Sequence, residues 1–189
     1  MISNSMRKLK LQVQMSVDGY IAGTNGEMDW TARDWDDELK KYVAEITEPV
    51  DCIVLGRKLA QGFIPYWASH PEQEGADKFN CTRKVVFTKT LDKSGWDNTV
   101  LAKGNLVDEI TTLKKQNGKD IIAYGGATFV SALIKHGLID EFHLFINPTS
   151  IGNGMSIFKE LAGKQNLTLV KSISFDCGII VLNYTPKCE

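Results

Sequence analysis

A chain of 189 residues with 43% hydrophobic and 24% charged side chains can bury one full sheet with helices on both faces, so a single domain spanning 1–189 is predicted. Its formal charge of −1 comes without a basic stripe or polybasic patch, which argues against nucleic acid and anionic membranes as partners. No apolar run approaches the ~20 residues of a spanning helix, and the polar start MISNSMRK is unlike a secretion signal, so a cytoplasmic protein is expected.

Leu9, Leu11, Val13 and Met15 alternate with Lys10, Gln12 and Gln14, the period of a strand with one face more buried than the other. Asp18-Gly19 breaks it, Tyr20 to Ala22 briefly resumes it, and Gly23-Thr24-Asn25-Gly26 is a loop. In the following Met28-Asp29-Trp30, the tryptophan reads either as a lid over a flat ring or as a core plug. From Asp36 onward Leu39, Tyr42, Val43 and Ile46 mark one face of a helix, whose start Asp34 to Glu38 load with negative charge.

Asp51 to Leu55 is the second strand, and Gly56-Arg57-Lys58 is the turn into a short helical stretch ending near Phe63. Cations at a helix start oppose the helix dipole unless an anion intervenes. That anion would be a phosphate; the alternative is two solvated surface cations. Residues 65–82 read as a polar, proline-broken excursion without a strong helical period. Lys84 to Thr88 is a third strand, and Thr88-Lys89-Thr90 at its end meets either a phosphate or water. Thr99 to Ala102 is a weaker strand, after which Asn105 opens a helix with Leu106, Ile110 and Leu113 on one face and Asn117-Gly118 as its stop.

Asp120 to Tyr124 is an apolar strand that ends at Gly125-Gly126. A helix with Phe129, Val130, Leu133 and Ile134 in one stripe follows and is closed by His136-Gly137. Glu141 to Asn147 then puts Phe142, Leu144 and Ile146 on one strand face, and Pro148 ends it. Consecutive glycines between strand and helix let a backbone approach a ligand closely, and the free N–H groups of the helix favour an anion such as a pyrophosphate. A plain tight turn is the alternative. Gly152-Asn153-Gly154 is a loop; Leu167 to Phe175 and Gly178 to Tyr184 form a closing antiparallel hairpin around Asp176-Cys177.

Cys52, Cys81, Cys177 and Cys188 lack C-x-x-C spacing and nearby histidines, so no metal site and no redox pair is expected, and Cys52 and Cys177 read as small hydrophobes in strand patterns. His70, His136 and His143 are scattered and read as surface or helix-end residues. Strands alternating with helices before a terminal hairpin make an α/β protein with a mostly parallel sheet and an antiparallel edge. In such sheets ligands bind beyond the carboxyl ends of the strands. The ends at Met15-Ser16 to Gly19, Gly56-Arg57, Thr88 to Thr90 and Gly125-Gly126 therefore gather at one edge and suit a long phosphorylated cofactor, although neither glycine turn is a G-x-G-x-x-G or a P-loop.

Five pieces, SVDGYIA at 16–22, VLGR at 54–57, VVFTKTL at 85–91, YGGATFVSALIKHGLIDEFHLFINPTSIGNG at 124–154 and the closing hairpin, together resemble the dihydrofolate reductase-like superfamily. Within it the chain is similar to the C-terminal reductase domain of the bifunctional riboflavin-pathway enzyme and its stand-alone bacterial relatives. The resemblance covers nearly the whole chain and implies a three-layer fold, a homodimer, NADPH as cofactor and hydride transfer to a C=N bond or an open ribosylimine-type substrate. It assigns Gly125, Gly126, Ala127 and Thr128 to the pyrophosphate, Gly56 and Arg57 to the adenosine phosphate end, and Thr88 to the strand end beside the adenosine. Met15 matches a backbone contact near the nicotinamide, Asp18 the strand-end Asp-Gly motif, and Trp30 the tryptophan of the loop beyond it.

The departures are equally specific. Dihydrofolate reductases carry Gly-Arg-x-Thr where this chain has Gly56-Arg57-Lys58-Leu59, so Lys58 substitutes for a phosphate-binding hydroxyl. The riboflavin enzyme's glutamate before the last glycines is Tyr124 here, and its Asp-Asp-Pro motif is replaced by Gly62-Phe63-Ile64-Pro65. The zinc deaminase motifs of the bifunctional enzyme are missing from the sequence. Reduction of an imine also needs a proton, for which Asp18, Asp29, Asp34, Asp36 or a bound water are the available sources. Two other functions stay open: a dihydrofolate or pterin reductase, and a non-catalytic nucleotide-binding protein that kept the cofactor turns.

Overall fold

The computed structural model describes residues 6–32 and 34–187; the expectations placed on the first five residues and on Cys188 in the tail lie outside the described residues. Leu9–Ser16 forms β1, and its polar positions do not face solvent: Lys10 is 6% exposed and Gln12 8%. This corrects the reading of a one-sided strand. β1 is central, flanked by parallel β5 (Asp120–Ala123) and parallel β6 (Glu141–Asn147), and helices cover both of its faces.

The remaining elements are α1 (Asp37–Thr47), β2 (Val50–Gly56), α2 (Arg57–Ser69), α3 (Ala76–Cys81), β3 (Arg83–Phe87), β4 (Thr99–Ala102), α4 (Leu106–Lys115), α5 (Ala127–Lys135), β7 (Leu167–Ser174) and β8 (Ile180–Pro186). They build one 8-stranded sheet in the order β4-β3-β2-β5-β1-β6-β8-β7. Among the described strands, β8 alone runs against the others. The fold is thus α/β, mostly parallel, with a C-terminal antiparallel hairpin. Gly178, at φ +88, serves the turn of that hairpin, where the Phe175 N–H donates to the Ile179 carbonyl at 2.9 Å.

The period of β1 separates the layers. Leu9, Leu11, Val13 and Met15 join Ile110 and Leu113 of α4 and Val130, Leu133 and Ile134 of α5 in one core. The opposite face carries two cores instead of one. Ile53, Leu55, Ile64, Phe79 and Ile122 pack under α2 and α3. Leu39, Tyr42, Ile46, Phe145 and Val181 pack under α1. Residues of both clusters line one cavity over this face, the site described below.

Residues 65–82 are not a structureless excursion. α2 runs through Pro65 to Ser69, and α3 follows it. Gly62 and Pro65 are helix breakers, Pro65 also removing the bond to the Gln61 carbonyl. Burial of Ala60 and Ile64, with Phe63 and Trp67 packed on Phe79, outweighs that local cost. Lys84, 1% exposed, closes this corner by donating its Nζ to the carbonyls of Asn80 and Thr82 at 3.0 and 2.8 Å, the cation sitting at the end of α3.

His143 is likewise no surface residue. It is 4% exposed, and its Nδ1 lies 2.8 Å from the Tyr42 hydroxyl, so β6 and α1 share a polar contact within the core. His70 and His136 do stand at helix ends, as the C-caps of α2 and α5.

Candidate functional site

Two sequence pieces, 16–22 and 147–155, turn out to be one clasp. The Val17 N–H donates to the Thr149 carbonyl at 2.9 Å, and Ile21 and Ala22 exchange bonds with Met155 at 2.9 and 2.8 Å. The Asp18 carboxylate accepts from the Ile151 N–H at 3.2 Å and the Gly152 N–H at 2.7 Å. A Cβ at Gly154 would stand 2.3 Å from the Ala22 carbonyl oxygen, so only glycine fits there. The Ser16 hydroxyl, then the Gly152 and Ile151 N–H groups, hold the Asp18 carboxyl below the usual carboxylate range against the cost of desolvation. A carboxylate held this way is a brace, and a poor proton source near neutral pH.

Asn147 extends the clasp inward. Fully buried at the end of β6, it accepts the Ala32 N–H at 2.8 Å and donates to Gln14 Oε1 at 2.8 Å. The loop after β1 is thereby tied across the sheet edge. Asp36 ends that loop as the N-cap of α1, accepting from the Leu39 N–H at 2.8 Å and from the Cys177 N–H of the β7–β8 turn at 3.0 Å. Both bonds hold its carboxyl below the ordinary range, the Leu39 N–H most strongly. Asp29 and Asp34 are exposed. Trp30 is half-buried, with its ring N–H on the Glu27 carbonyl at 3.2 Å.

Under this loop, between α1 and α2, lies a cavity of about 390 Å³ with a mainly apolar wall. Its floor is the sheet: Gln12, Val13 and Gln14 of β1, Val50 and Ile53 of β2, and Tyr124 beyond β5. Val43 and Thr47 of α1 form one side. Leu59, Phe63 and Trp67 of α2 form the other, with Phe79 of α3 behind. Ile21, Met28 and Trp35 of the loop complete it, together with Gly125 and Gly126. Trp35 is held by its ring N–H on the Ala32 carbonyl at 3.0 Å and by stacking on Phe145 at 6.2 Å between ring centroids. Tyr124 is braced by Phe63 and Phe79, and burial pushes its phenol above the ordinary value. The shape and lining suit a flat organic molecule.

At the carboxyl edge the two glycine turns are neighbours. Val54 pairs with Ala123, so β2 and β5 leave the sheet side by side, at Gly56 and Gly125. The glycines serve different ends. Gly125 and Gly126 adopt φ +99 and +80, which favour glycine, whereas Gly56 has an ordinary φ of −75 and is required by Phe129, whose Cβ would be 2.8 Å from an added Cβ. α2 and α5 both start without a side-chain cap, leaving their first N–H groups free to meet an anion. Arg57 Nη1 donates to Gln61 Oε1 at 3.1 Å, and Lys58 is exposed beside it. Ala127 and Thr128 form the first turn of α5, with Lys159 Nζ on the Thr128 hydroxyl at 3.3 Å. These residues fit a dinucleotide's phosphates: a cradle of positive-φ glycines, uncapped helix starts and nearby cations.

The other expected residues sit around this cradle with different duties. Thr88, buried after β3, accepts the Thr90 and Leu91 N–H groups on its hydroxyl at 3.1 Å each, which makes its own turn. Met15 is 5% exposed and packs toward α4 and α5. Residues the sequence reading passed over are Gln12, Trp35, Trp67 and Asn147. The signal for Gln12 was available, since a glutamine within a strand of apolar residues is a buried polar group once both faces are covered.

A model of the RibD C-terminal domain matches residues 7–181. The chain is 31% identical to the uncharacterized protein YyaP of Bacillus subtilis (strain 168) over 186 residues, which cover 94% of each chain. It is 23% identical to the riboflavin biosynthesis protein RibD of Corynebacterium ammoniagenes, over 78% of this chain and 44% of that one. Among solved structures, a putative riboflavin biosynthesis protein from Shewanella sp. PV-4 superposes with a TM-score of 0.73 at 25% identity, covering 97% of this chain and 100% of that one. The Thermotoga maritima diaminohydroxyphosphoribosylaminopyrimidine deaminase/5-amino-6-(5-phosphoribosylamino)uracil reductase shares the fold, with a TM-score of 0.73 at 16% identity over 98% of this chain and 58% of that one.

Proposed function

The chain belongs to the RibD C-terminal domain family, and on that premise we propose that it is an NADPH-dependent reductase, delivering hydride to a C=N or related bond of a heterocycle held between α1 and α2. The observation that carries this reading is the double position of Gly125 and Gly126. They lead into α5, with Gly126 as its N-cap, and also line the cavity. A dinucleotide across that turn would therefore abut whatever fills the cavity.

The nicotinamide, when bound, supplies the hydride. The chain supplies position and exclusion of water. N–H groups at the starts of α2 and α5 meet the phosphates, and Arg57 with Lys58 favours the 2′-phosphate of NADPH. The loop clasped by Asp18 and Asn147 covers the site, and Trp30 and Asp34 belong to that cover. Tyr124, in the cavity wall, stays protonated because burial pushes its phenol up, so it would donate a hydrogen bond to the nitrogen of the C=N bond, whose carbon receives the hydride, while water supplies the proton to that nitrogen.

Tyr124 stands where the riboflavin enzyme carries a glutamate, so the ribosylamino-pyrimidine phosphate is expected to be a poor substrate. The decisive experiment measures NADPH binding by calorimetry and NADPH consumption with that compound, dihydrofolate and a set of pterins. NADPH binding with turnover of at least one ring system is expected. Loss of the reading follows from absent NADPH binding; binding without turnover on any of them would favour a nucleotide-binding protein. We also propose a homodimer, because β7 is an edge strand with Leu169 and Val170 exposed. Light scattering that returned the 21.0 kDa of one chain would refute it.

A further inference from the structure

Three Asn-Gly pairs occur in the chain, at 25–26, 117–118 and 153–154, and the fold treats them differently. An asparagine before glycine is open to intramolecular attack, because no Cβ shields the next backbone nitrogen and glycine lets that peptide swing toward the side-chain amide. Hydrogen bonds that hold either partner oppose it. The Gly26 N–H donates to the Gly23 carbonyl at 3.1 Å, and Asn25 Nδ2 donates to Glu27 Oε1 at 2.8 Å. Asn117 is engaged by other groups, and the peptide beyond Gly118 is pinned where the Lys119 N–H donates to Asp51 Oδ2 at 2.8 Å.

Asn153-Gly154 is the exception. Asn153 is exposed, and among the described residues neither its side-chain amide nor the Gly154 N–H has a hydrogen-bond partner. The pair spans two fixed points of the clasp. Asp18 holds the Ile151 and Gly152 N–H groups on one side, and Met155 is paired with Ile21 and Ala22 on the other. No side chain can replace the glycine, since a Cβ at Gly154 would stand 2.3 Å from the Ala22 carbonyl oxygen. Closing the clasp therefore requires the residue that makes its neighbour reactive.

We propose that Asn153 is a site of spontaneous covalent modification, converted to aspartate and isoaspartate through a succinimide. The Gly154 backbone nitrogen gives its proton to solvent and attacks Asn153 Cγ. The N–Cγ bond forms, the Cγ–Nδ2 bond breaks, and the amide nitrogen takes a proton from water and leaves as ammonia. Water then opens the ring. Opening at Cγ gives aspartate, and opening at the main-chain carbonyl gives isoaspartate, whose backbone is longer by a single carbon. The sum is a water consumed and an ammonia released, with no change of oxidation state. Both products place a carboxylate next to Gly152, whose N–H the Asp18 carboxylate holds, and isoaspartate also lengthens the span to Met155. The modification loosens the clasp and, with it, the loop over the cavity.

The test incubates the intact protein at mildly alkaline pH in heavy-oxygen water, then digests it at acidic pH for mass spectrometry, with electron-transfer fragmentation to tell isoaspartate from aspartate. The other two pairs are internal controls. In the folded protein the Asn153 peptide is expected to gain heavy oxygen several-fold faster than those of Asn25 and Asn117, with isoaspartate among the products. In urea the three rates should converge. Modified protein separated by ion exchange is expected to show faster hydrogen exchange at the Val17, Ile21 and Met155 amides, which the clasp protects. Equal rates at the three sites in the folded protein, a slower rate at Asn153, or aspartate without isoaspartate would overturn the assignment, and unchanged exchange would overturn the loosening. Neither cofactor nor substrate enters the test, so its failure leaves the reductase reading untouched.

Discussion

Asn147 Nδ2 donates to Gln14 Oε1 at 2.8 Å, across the adjacent ends of β6 and β1. The same side chain takes the Ala32 N–H on its Oδ1 at 2.8 Å, so a single amide joins two strands and the covering loop. Its further Nδ2 contacts, the Phe145 carbonyl at 3.1 Å and the Met15 carbonyl at 3.4 Å, fix the amide's orientation. Asn147→Leu would orphan Gln14 and the Ala32 N–H together. Destabilisation of about 2–4 kcal/mol is expected, read by urea unfolding, with weaker binding in the cavity because the loop loses its tether. A variant as stable as the parent would show that the loop is held elsewhere.

The two glycine turns should respond differently to substitution. At Gly56 the backbone accepts alanine, but the new Cβ meets Phe129 Cβ at 2.8 Å, so overpacking should cost about 1–3 kcal/mol. Gly126 has ordinary contact distance to its nearest neighbour, Leu59 at 3.6 Å, and its cost is conformational, at φ +80. Gly126→Val is expected to weaken NADPH binding by more than it lowers the unfolding midpoint, because the side chain would project into the proposed phosphate site. Thermal unfolding beside cofactor titration separates the two. Normal binding by the Gly126 variant, or simple failure to fold, would make that turn structural.

Cofactor choice should depend on Arg57. Its present partner, Gln61 at 3.1 Å, is a neutral amide that a phosphate would displace. NADPH is expected to bind about tenfold or more tightly than NADH, with Arg57→Ala bringing the two closer together. Fluorescence titration of both cofactors decides it. Equal affinities in the unaltered protein would remove the argument.

Acid stability should be governed in part by Glu141, whose carboxyl is drawn down to about 2. The His143 imidazole, with Nε2 3.5 Å from the carboxylate, contributes most, and Lys8 and Lys10 add to it against desolvation. Because the folded value lies below the ordinary 4.5, this stabilisation is present above about pH 4.5 and is lost as pH falls toward 2. The loss should be of the order of 2–3 kcal/mol. Glu141→Gln should be less stable at neutral pH and show a shallower decline over that window. Parallel urea midpoints for both proteins from pH 5 to about pH 2 would contradict this.

Much of the architecture is written in local pattern. Leu106, Ile110 and Leu113 face one core because a helix repeats every 3.6 residues, and Asn105 caps that helix with an oxygen 2.9 Å from the Val107 N–H. The hairpin turn, the α5 stripe and the Gly125-Gly126 break are visible for the same reason: each is settled by residues within a few positions of one another. Gln12 and Trp67 are different. The period of β1 tells which residues share a face but not whether that face is covered, and cover comes from α1 and from strands paired across more than a hundred positions, such as Gln12 with His143. Trp67 sits in a segment whose Gly62 and Pro65 argue locally against a helix, and only burial against Phe79 and the sheet makes one. The sequence by itself determined the order of the elements and their faces, because those depend on short-range periodicity. The tertiary structure alone decided which polar atoms are shut away from water, because burial is a sum over neighbours that the chain brings from far apart.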